Sequence, residues 1–281
     1  MKKFVALCLL LACLSGCAAS GDEVFDAVPE GVVIAVLDTG VSTTAIQSPS
    51  LLPGWNYVLD SADTEDRINH GTAVASVILG CESAQVTGLA PEALLVPLVV
   101  TDKSVGVKQV PPETLAQAIR DSVDKYHADI INISLGIKKD VPQVRKAVAY
   151  AREQGALVIS AVGNEGESTQ LFYPAAYEGV LAVGSHDKDF KISDFSQNNG
   201  TADILAPGED IWLASRKGKT YGSRGTSYAT AYAAAAAAQV WLAYPQLTAE
   251  EVYEALLSSV RSQEGLPILD TQAALAWVQE R

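Results

Sequence analysis

Gly31-Val-Val-Ile-Ala-Val-Leu-Asp-Thr-Gly40 decides how the chain is read. Residues 32–37 are an unbroken β-branched and aliphatic run of strand length, with no polar residue alternating through it. A run of that kind is buried on both faces, as strands of a helix-covered parallel sheet are. It stops at a carboxylate, Asp38, on the edge where open α/β sheets collect their ligands. Similar runs follow at residues 93–100, 129–134, 156–161 and 180–184.

Helical patterns fill the intervals. Leu115, Ile119, Val123 and Tyr126 make one apolar stripe after Pro112, and Val144, Ala147, Val148 and Ala151 make another after Pro142. Proline near a helix start is harmless because the first N–H groups lack intrahelical partners anyway. Gly155 then stops the second helix. A third helical stretch runs from His70 through Leu79, and an alanine-rich helix opening at Ser227 must finish before Pro245. Thr248-Ala-Glu-Glu251 reads as a capping box, with Leu247 and Val252 as its hydrophobic staple. The alternation predicts an α/β fold with a doubly wound, mostly parallel sheet flanked by helices. No repeat or linker divides it, so residues 31–281 read as one domain with a helical C-terminal tail.

The 281 residues carry a net charge of −13, which argues against nucleic acid as a partner, because phosphate contacts need clustered Lys and Arg. Cys8, Cys13 and Cys17 precede the domain and only Cys81 lies within it, which excludes a disulfide scaffold. Residues 1–17 have the parts of an export signal, Lys2 and Lys3 followed by an apolar run at 4–14 too short for a membrane span. Its end, Leu14-Ser-Gly-Cys17, resembles the bacterial lipobox, whose cysteine becomes the lipid-modified first residue of the mature protein. Ordinary cleavage nearby, for instance after Ala19, is the other reading. Acyl chains such as palmitate on Cys17 would tether the domain to a membrane through residues 18–30. The chain is then expected to be an exported, membrane-anchored lipoprotein of the cell envelope, the outer membrane being one candidate.

Several residues stand where chemistry is to be expected. Asp38, ending its strand, is able to orient a histidine, or simply to accept from loop N–H groups. His70, in Asn69-His-Gly-Thr-Ala-Val-Ala75, follows a loop and precedes a glycine. Of the other histidines, His127 falls at a helix end and suits a cap, and His186, in Ser185-His-Asp-Lys-Asp189, reads as solvated. Asn164, in Ala161-Val-Gly-Asn-Glu-Gly166, is either an amide donor for a developing oxyanion or a turn residue. Ser227, in Tyr221-Gly-Ser-Arg-Gly-Thr-Ser-Tyr-Ala-Thr-Ala-Tyr232, sits on the first turn of a helix. There the unpaired N–H groups and the helix dipole favour an alkoxide-like oxygen. A helix cap is the plainer role for such a serine.

Taken together, the Asp-Thr-Gly, His-Gly-Thr-x-Val-Ala, Asn-Ile-Ser-Leu-Gly, Gly-Asn-Glu-Gly and Gly-Thr-Ser-x-Ala segments resemble, in order, those of subtilisin-like serine proteases, the subtilases. Gly88-Leu-Ala-Pro91, Tyr173-Pro-Ala-Ala176 and Ala206-Pro-Gly208 fall where that family has them, so the likeness runs over residues 32–243. The resemblance implies a serine endopeptidase working through an acyl-enzyme on peptide or protein substrates, without a cofactor. It implies Ser227 as nucleophile, His70 as general base and acid, Asp38 as the carboxylate holding the imidazole, and Asn164 with the Ser227 N–H as oxyanion hole. Ser134, Leu135 and Gly136 would pair with substrate backbone by strand addition.

The chain also departs from the family's pattern. Tyr228 replaces the usual Met after the nucleophile, Ala231 and Tyr232 the usual Pro-His, and Ala73 a frequent second His. The segment 81–86 is unlike the family's long calcium loop. The acidic stretch 60–66 reads as a solvated loop more readily than as a cation site, so no metal is expected. Residues 18–30 are too few for the inhibitory pro-domain of many secreted relatives. Glu165, beside the inferred wall of the subsite for the acyl-side residue, would favour basic or polar side chains. Two rivals remain: an inactive peptide-binding lipoprotein of the same fold, and an aspartic protease suggested by Asp38-Thr-Gly. The second would need two such loops in a β-rich chain, and only one is present, in a strand–helix setting.

Overall fold

The structure, a computed structural model, describes residues 28–102 and 110–281. Cys17, the signal and all but the last residues of the proposed tether lie outside the described residues.

In chain order the first elements are β1 (Val33–Asp38), β2 (Trp55–Asn56), α1 (Gly71–Leu79), β3 (Gly80–Cys81), β4 (Val86–Thr87) and β5 (Leu94–Val99). There follow α2 (Pro112–Asp124), β6 (Ile130–Ile133), α3 (Pro142–Glu153), β7 (Leu157–Ala161) and β8 (Leu181–His186). The chain continues with β9 (Ile204–Pro207), the hairpin β10 (Ile211–Ala214) and β11 (Thr220–Ser223), and α4 (Thr226–Ala243). It closes with α5 (Ala249–Ser258), β12 (Arg261–Gln263), β13 (Leu266–Ile268) and α6 (Thr271–Gln279).

Nine strands form the main sheet in the order β12-β13-β9-β8-β7-β6-β1-β5-β2. Every pairing between named strands within it is parallel except β12 with β13. The aliphatic runs explain this, because alternate residues of each strand face opposite layers. Ile34 and Val36 of β1 pack into a core with α1 and α4, while Val33, Ala35 and Leu37 pack into a second core with α2 and α3. Both faces are thus covered, as the unbroken runs require.

Helix α4 is buried nearly all round, and small side chains let it lie close to the sheet and to α1. Alanine also has the highest intrinsic helix propensity, so close packing and local preference agree. Among the described residues no helix is long and apolar enough to cross a membrane. The capping box forms as read, Thr248 accepting from the Glu251 N–H while Glu251 accepts from the Thr248 N–H. Leu247 and Val252 both join the α4 core. The C-terminal tail is not wholly helical, because the β12–β13 hairpin extends the main sheet next to β9.

Since Ala234 is fully buried in α4, Ala234→Leu should destabilise the fold by about 1–3 kcal/mol through overpacking. The check is a lower urea midpoint with an unchanged m value.

Candidate active site

Asp38 is the last residue of β1 and is buried. Its Oδ1 accepts from the Thr39 N–H at 2.7 Å and lies 2.7 Å from His70 Nδ1; Oδ2 lies 3.0 Å from the same nitrogen. A carboxylate only accepts, so Nδ1 carries the proton and Nε2 keeps its lone pair. His70 is the N-cap residue of α1. Gly71 allows the close approach: a Cβ there would stand 2.1 Å from the Gly40 carbonyl oxygen. Burial alone would lower the His70 pKa, but the charge of Asp38, its hydrogen bond and the charge of Asp66 together outweigh burial and raise it above the ordinary histidine value.

Asp66 is the residue that sequence reasoning missed. The acidic stretch is not simply solvated, because Asp66 is completely buried beneath the start of α1. Its carboxylate accepts from the N–H groups of Ile68, Asn69 and Thr72 and from the hydroxyls of Thr39 and Thr72, at 2.7–3.0 Å. The Thr39 hydroxyl in turn accepts from the Gly71 N–H at 2.9 Å. A charge accepting from the first N–H groups of a helix is favourably placed, and here it fixes the turn that carries His70. The spacing Asp66-x-x-Asn69, an Asx-type turn, was the available signal, but its acidic neighbours concealed it.

Helix α4 starts at Thr226, one residue earlier than read, with Gly225 as N-cap. Ser227 is therefore not a cap, and its hydroxyl is left for other partners. Its Oγ donates to the Ser134 carbonyl at 2.9 Å, and Ser134 Oγ donates back to the Ser227 carbonyl at 3.0 Å. Asn132 supports Ser134 through an Nδ2 bond of 3.1 Å to its hydroxyl. Ser134, directly after β6, is thus buried and holds the start of α4 in register with the sheet.

Asn164 is exposed on the loop after β7, yet its amide is oriented. Oδ1 accepts from the Thr226 N–H at 2.9 Å and the Thr226 hydroxyl at 3.0 Å, which leaves Nδ2 as a donor pointing elsewhere. A Cβ built on Gly225 would lie 3.8 Å from Asn164 Nδ2 and 3.9 Å from the Ser227 nitrogen, so both donors border one small space. Tyr228, next to Ser227, brings its ring within 6.1 Å of the His70 ring. The phenol accepts from Ser223 Oγ at 3.3 Å, and burial raises its pKa. Tyr228 thus stands beside the imidazole. Tyr221 joins this group by accepting from Asn69 Nδ2 at 3.0 Å.

The structure therefore brings Asp38 and His70 into direct contact and gathers Ser227, Asn164 and Ser134 around the start of α4. The Ser227 hydroxyl is turned to Ser134 and not to the imidazole. Leu135 is partly buried against the α2–α3 core, and Gly136 continues outward beside Phe172. Among the other histidines, His127 takes a left-handed backbone just after α2. His186 is not solvated: it is buried at the end of β8 with Nδ1 2.7 Å from the Asp187 carbonyl oxygen, and burial lowers its pKa. A polar concavity of about 560 Å³, lined by Lys138, Asp140, Ser168, Thr169, Gln170, Leu171 and Tyr173, contains none of the four central groups.

The model of the Subtilase family matches residues 29–273. The chain is 37% identical over 222 residues to the major intracellular serine protease of Bacillus subtilis (strain 168), covering 75% of this chain and 68% of that one. It is 36% identical over 212 residues to subtilisin Savinase of Lederbergia lenta, covering 75% of this chain and 76% of the other. Among solved structures, the self-cleaved protease domain of PatA superposes with a TM-score of 0.76 at 30% identity, covering 89% of this chain and 97% of that one.

Because the charge of Asp66 helps to raise the His70 pKa, Asp66→Asn should move the imidazole titration to lower pH. Ring-proton resonances followed through the titration read this out, and a midpoint that stays put would detach Asp66 from His70.

Proposed function

The chain belongs to the subtilase family and is a serine-type endopeptidase, and on that premise we propose that Ser227, His70 and Asp38 carry its acyl transfer. The single observation that carries the assignment is the pair of short contacts from the Asp38 carboxylate to His70 Nδ1. They leave Nε2 basic in a ring whose pKa is already raised.

A serine hydroxyl is a weak nucleophile near neutral pH unless a base takes its proton during attack. In the resting arrangement the Ser227 hydroxyl donates to the Ser134 carbonyl. A peptide adding as a strand along residues 134–136 would offer a backbone N–H to carbonyls of that segment. The hydroxyl is then released toward Nε2. His70 accepts the proton as Oγ attacks the peptide carbonyl carbon, and Asp38 stabilises the imidazolium without itself taking the proton. Negative charge on the carbonyl oxygen meets Asn164 Nδ2 and the Ser227 N–H, donors positioned before the charge appears. His70 then protonates the leaving amine, and a water activated by the same ring hydrolyses the acyl-enzyme. Asn164 also satisfies α4 through its oxygen, so its nitrogen is held in place without a further residue.

In the same reading Cys17 carries a lipid that tethers the exported domain to a membrane, supported by the Leu14-Ser-Gly-Cys17 sequence after an apolar run. Metabolic labelling with a palmitate analogue tests this, with Cys17→Ser expected to abolish incorporation and release the protein from the membrane fraction.

Ser227→Ala and His70→Ala should each lower kcat by roughly six decades, the scale known for removing a triad member from subtilisin. Asn164→Ala should cost about 3–4 kcal/mol of transition-state stabilisation, as loss of the oxyanion-hole asparagine does there, with little change in KM. A fluorophosphonate probe should label the wild type at Ser227 and not label Ser227→Ala. A rise in KM as the main effect at Asn164 would remove it from the oxyanion hole.

A further inference from the structure

On the catalytic reading above, we infer that Phe172 closes the space for the side chain on the acyl side of the scissile bond, making the enzyme selective for small residues there, glycine, alanine and serine.

The location of that space follows from the strands. A carbonyl attacked by Ser227, with its oxygen at Asn164, belongs to a residue lying between two backbones, residues 134–136 leaving β6 and residues 162–164 leaving β7. The strands are in register through Ile133 and Ser160. Hydrogen-bonded neighbours stand only about 4.8 Å apart, too close to admit a side chain. Past the last paired residues the two walls are free to separate, and the gap between them faces the catalytic groups.

Phe172 fills that gap from the far side. A Cβ on Gly163 would lie 2.6 Å from Phe172 Cδ2 and 2.9 Å from Cε2; one on Gly136 would lie 3.2 Å from Cδ1. One edge of the ring therefore touches one wall and the other edge the opposite wall. Both contacts are made at glycines: a side chain at Gly163 would collide with the ring, and one at Gly136 would sit tight against it. The ring is not free to swing away with its backbone. Tyr173 and Ile137 exchange two backbone hydrogen bonds of 2.8 and 2.9 Å, and the Ala176 N–H donates to the Phe172 carbonyl at 3.0 Å.

Charge completes the closure. Lys138, two residues past Gly136, pairs with Glu165, two residues past Gly163, and its Nζ stands 5.5 Å from the Phe172 ring centroid. The pair joins the two walls across the ring. Glu165 is thus already paired with Lys138 at the exposed rim, a partner that an incoming basic side chain would have to compete with. A glycine, alanine or serine side chain ends before the ring, whereas leucine, phenylalanine or lysine has to displace it.

The test uses peptide substrates that differ only at the acyl-side residue, with active sites titrated by a fluorophosphonate in every preparation. Wild-type kcat/KM should be at least about 10-fold higher for alanine or glycine than for leucine, phenylalanine or lysine, the discrimination expected when a pocket lacks room for added methylenes. In Phe172→Ala the phenylalanine-to-alanine ratio should rise by about 10–100-fold. Phe172→Leu, a milder change for folding, should shift the ratio in the same direction by less. A wild type that cleaves as well after leucine or phenylalanine as after alanine overturns the inference, as does an unchanged ratio in whichever variant titrates as active. Failure of Ser227 to react with the probe instead overturns the catalytic reading, so the two failures are told apart.

Discussion

A carboxylate buried at the end of a central strand must have its charge met, and at Asp38 that requirement sets the site. Burying an ionised carboxyl without partners is prohibitively costly. The Thr39 N–H supplies one partner and the His70 imidazole the other. Meeting the charge in this way determines three properties of the histidine together. Its ring plane is held by contact with both carboxylate oxygens, its proton is on Nδ1, and its basicity is raised despite burial. Ring orientation and tautomer thus follow from one contact, which together with the charge of Asp66 also raises the pKa.

That contact lasts only if the turn bearing His70 stays where it is, and a second buried carboxylate does this. Asp66 collects donors from the turn itself, from the first residues of α1 and from Thr39, which lies on the Asp38 side. Two like charges at close quarters would ordinarily repel. Here Asp66 accepts from five N–H or O–H donors and Asp38 from the Thr39 N–H and the imidazole, which lies within the field of both. The Thr39 hydroxyl, donating to Asp66 and accepting from the Gly71 N–H, couples the end of β1 to the start of α1.

What was legible in the sequence was what depends on neighbours along the chain. The five aliphatic runs became β1, β5, β6, β7 and β8 with boundaries within two residues, because unbroken apolar content is itself the requirement for burial on both faces. Proline starts, the glycine stop after α3 and the capping box are local for the same reason. Strand β9, which contains Pro207, and the small hairpin β12–β13 carry too few residues for a periodic signal and are recruited by an existing sheet edge. Asp66 could not be told from Asp60, Asp63 and Glu65 by type; only the helix folded over it makes it different. His186 has polar neighbours in sequence but is buried by β9 and Phe190. Residues 136, 163 and 172 come from three separate segments, so their contact has no sequence signature at all.

The start of α4 shows how few groups are needed once the scaffold is set. Of its first N–H groups, that of Thr226 is taken by Asn164 Oδ1 and that of Tyr228 by the Gly225 carbonyl. The N–H between them, on Ser227, is left to face the same small space as Asn164 Nδ2. A helix always leaves its first donors without intrahelical partners; here those of Gly225, Thr226 and Tyr228 are satisfied by other partners and that of Ser227 remains. The amide whose oxygen holds the Thr226 N–H and the amide whose nitrogen faces the space beside the Ser227 N–H are the same side chain. Removing Asn164 therefore disturbs both, and the restoring partner for Thr226 has to come from water. These donors are in this sense a by-product of starting a helix correctly, aimed by the two residues on either side of Ser227.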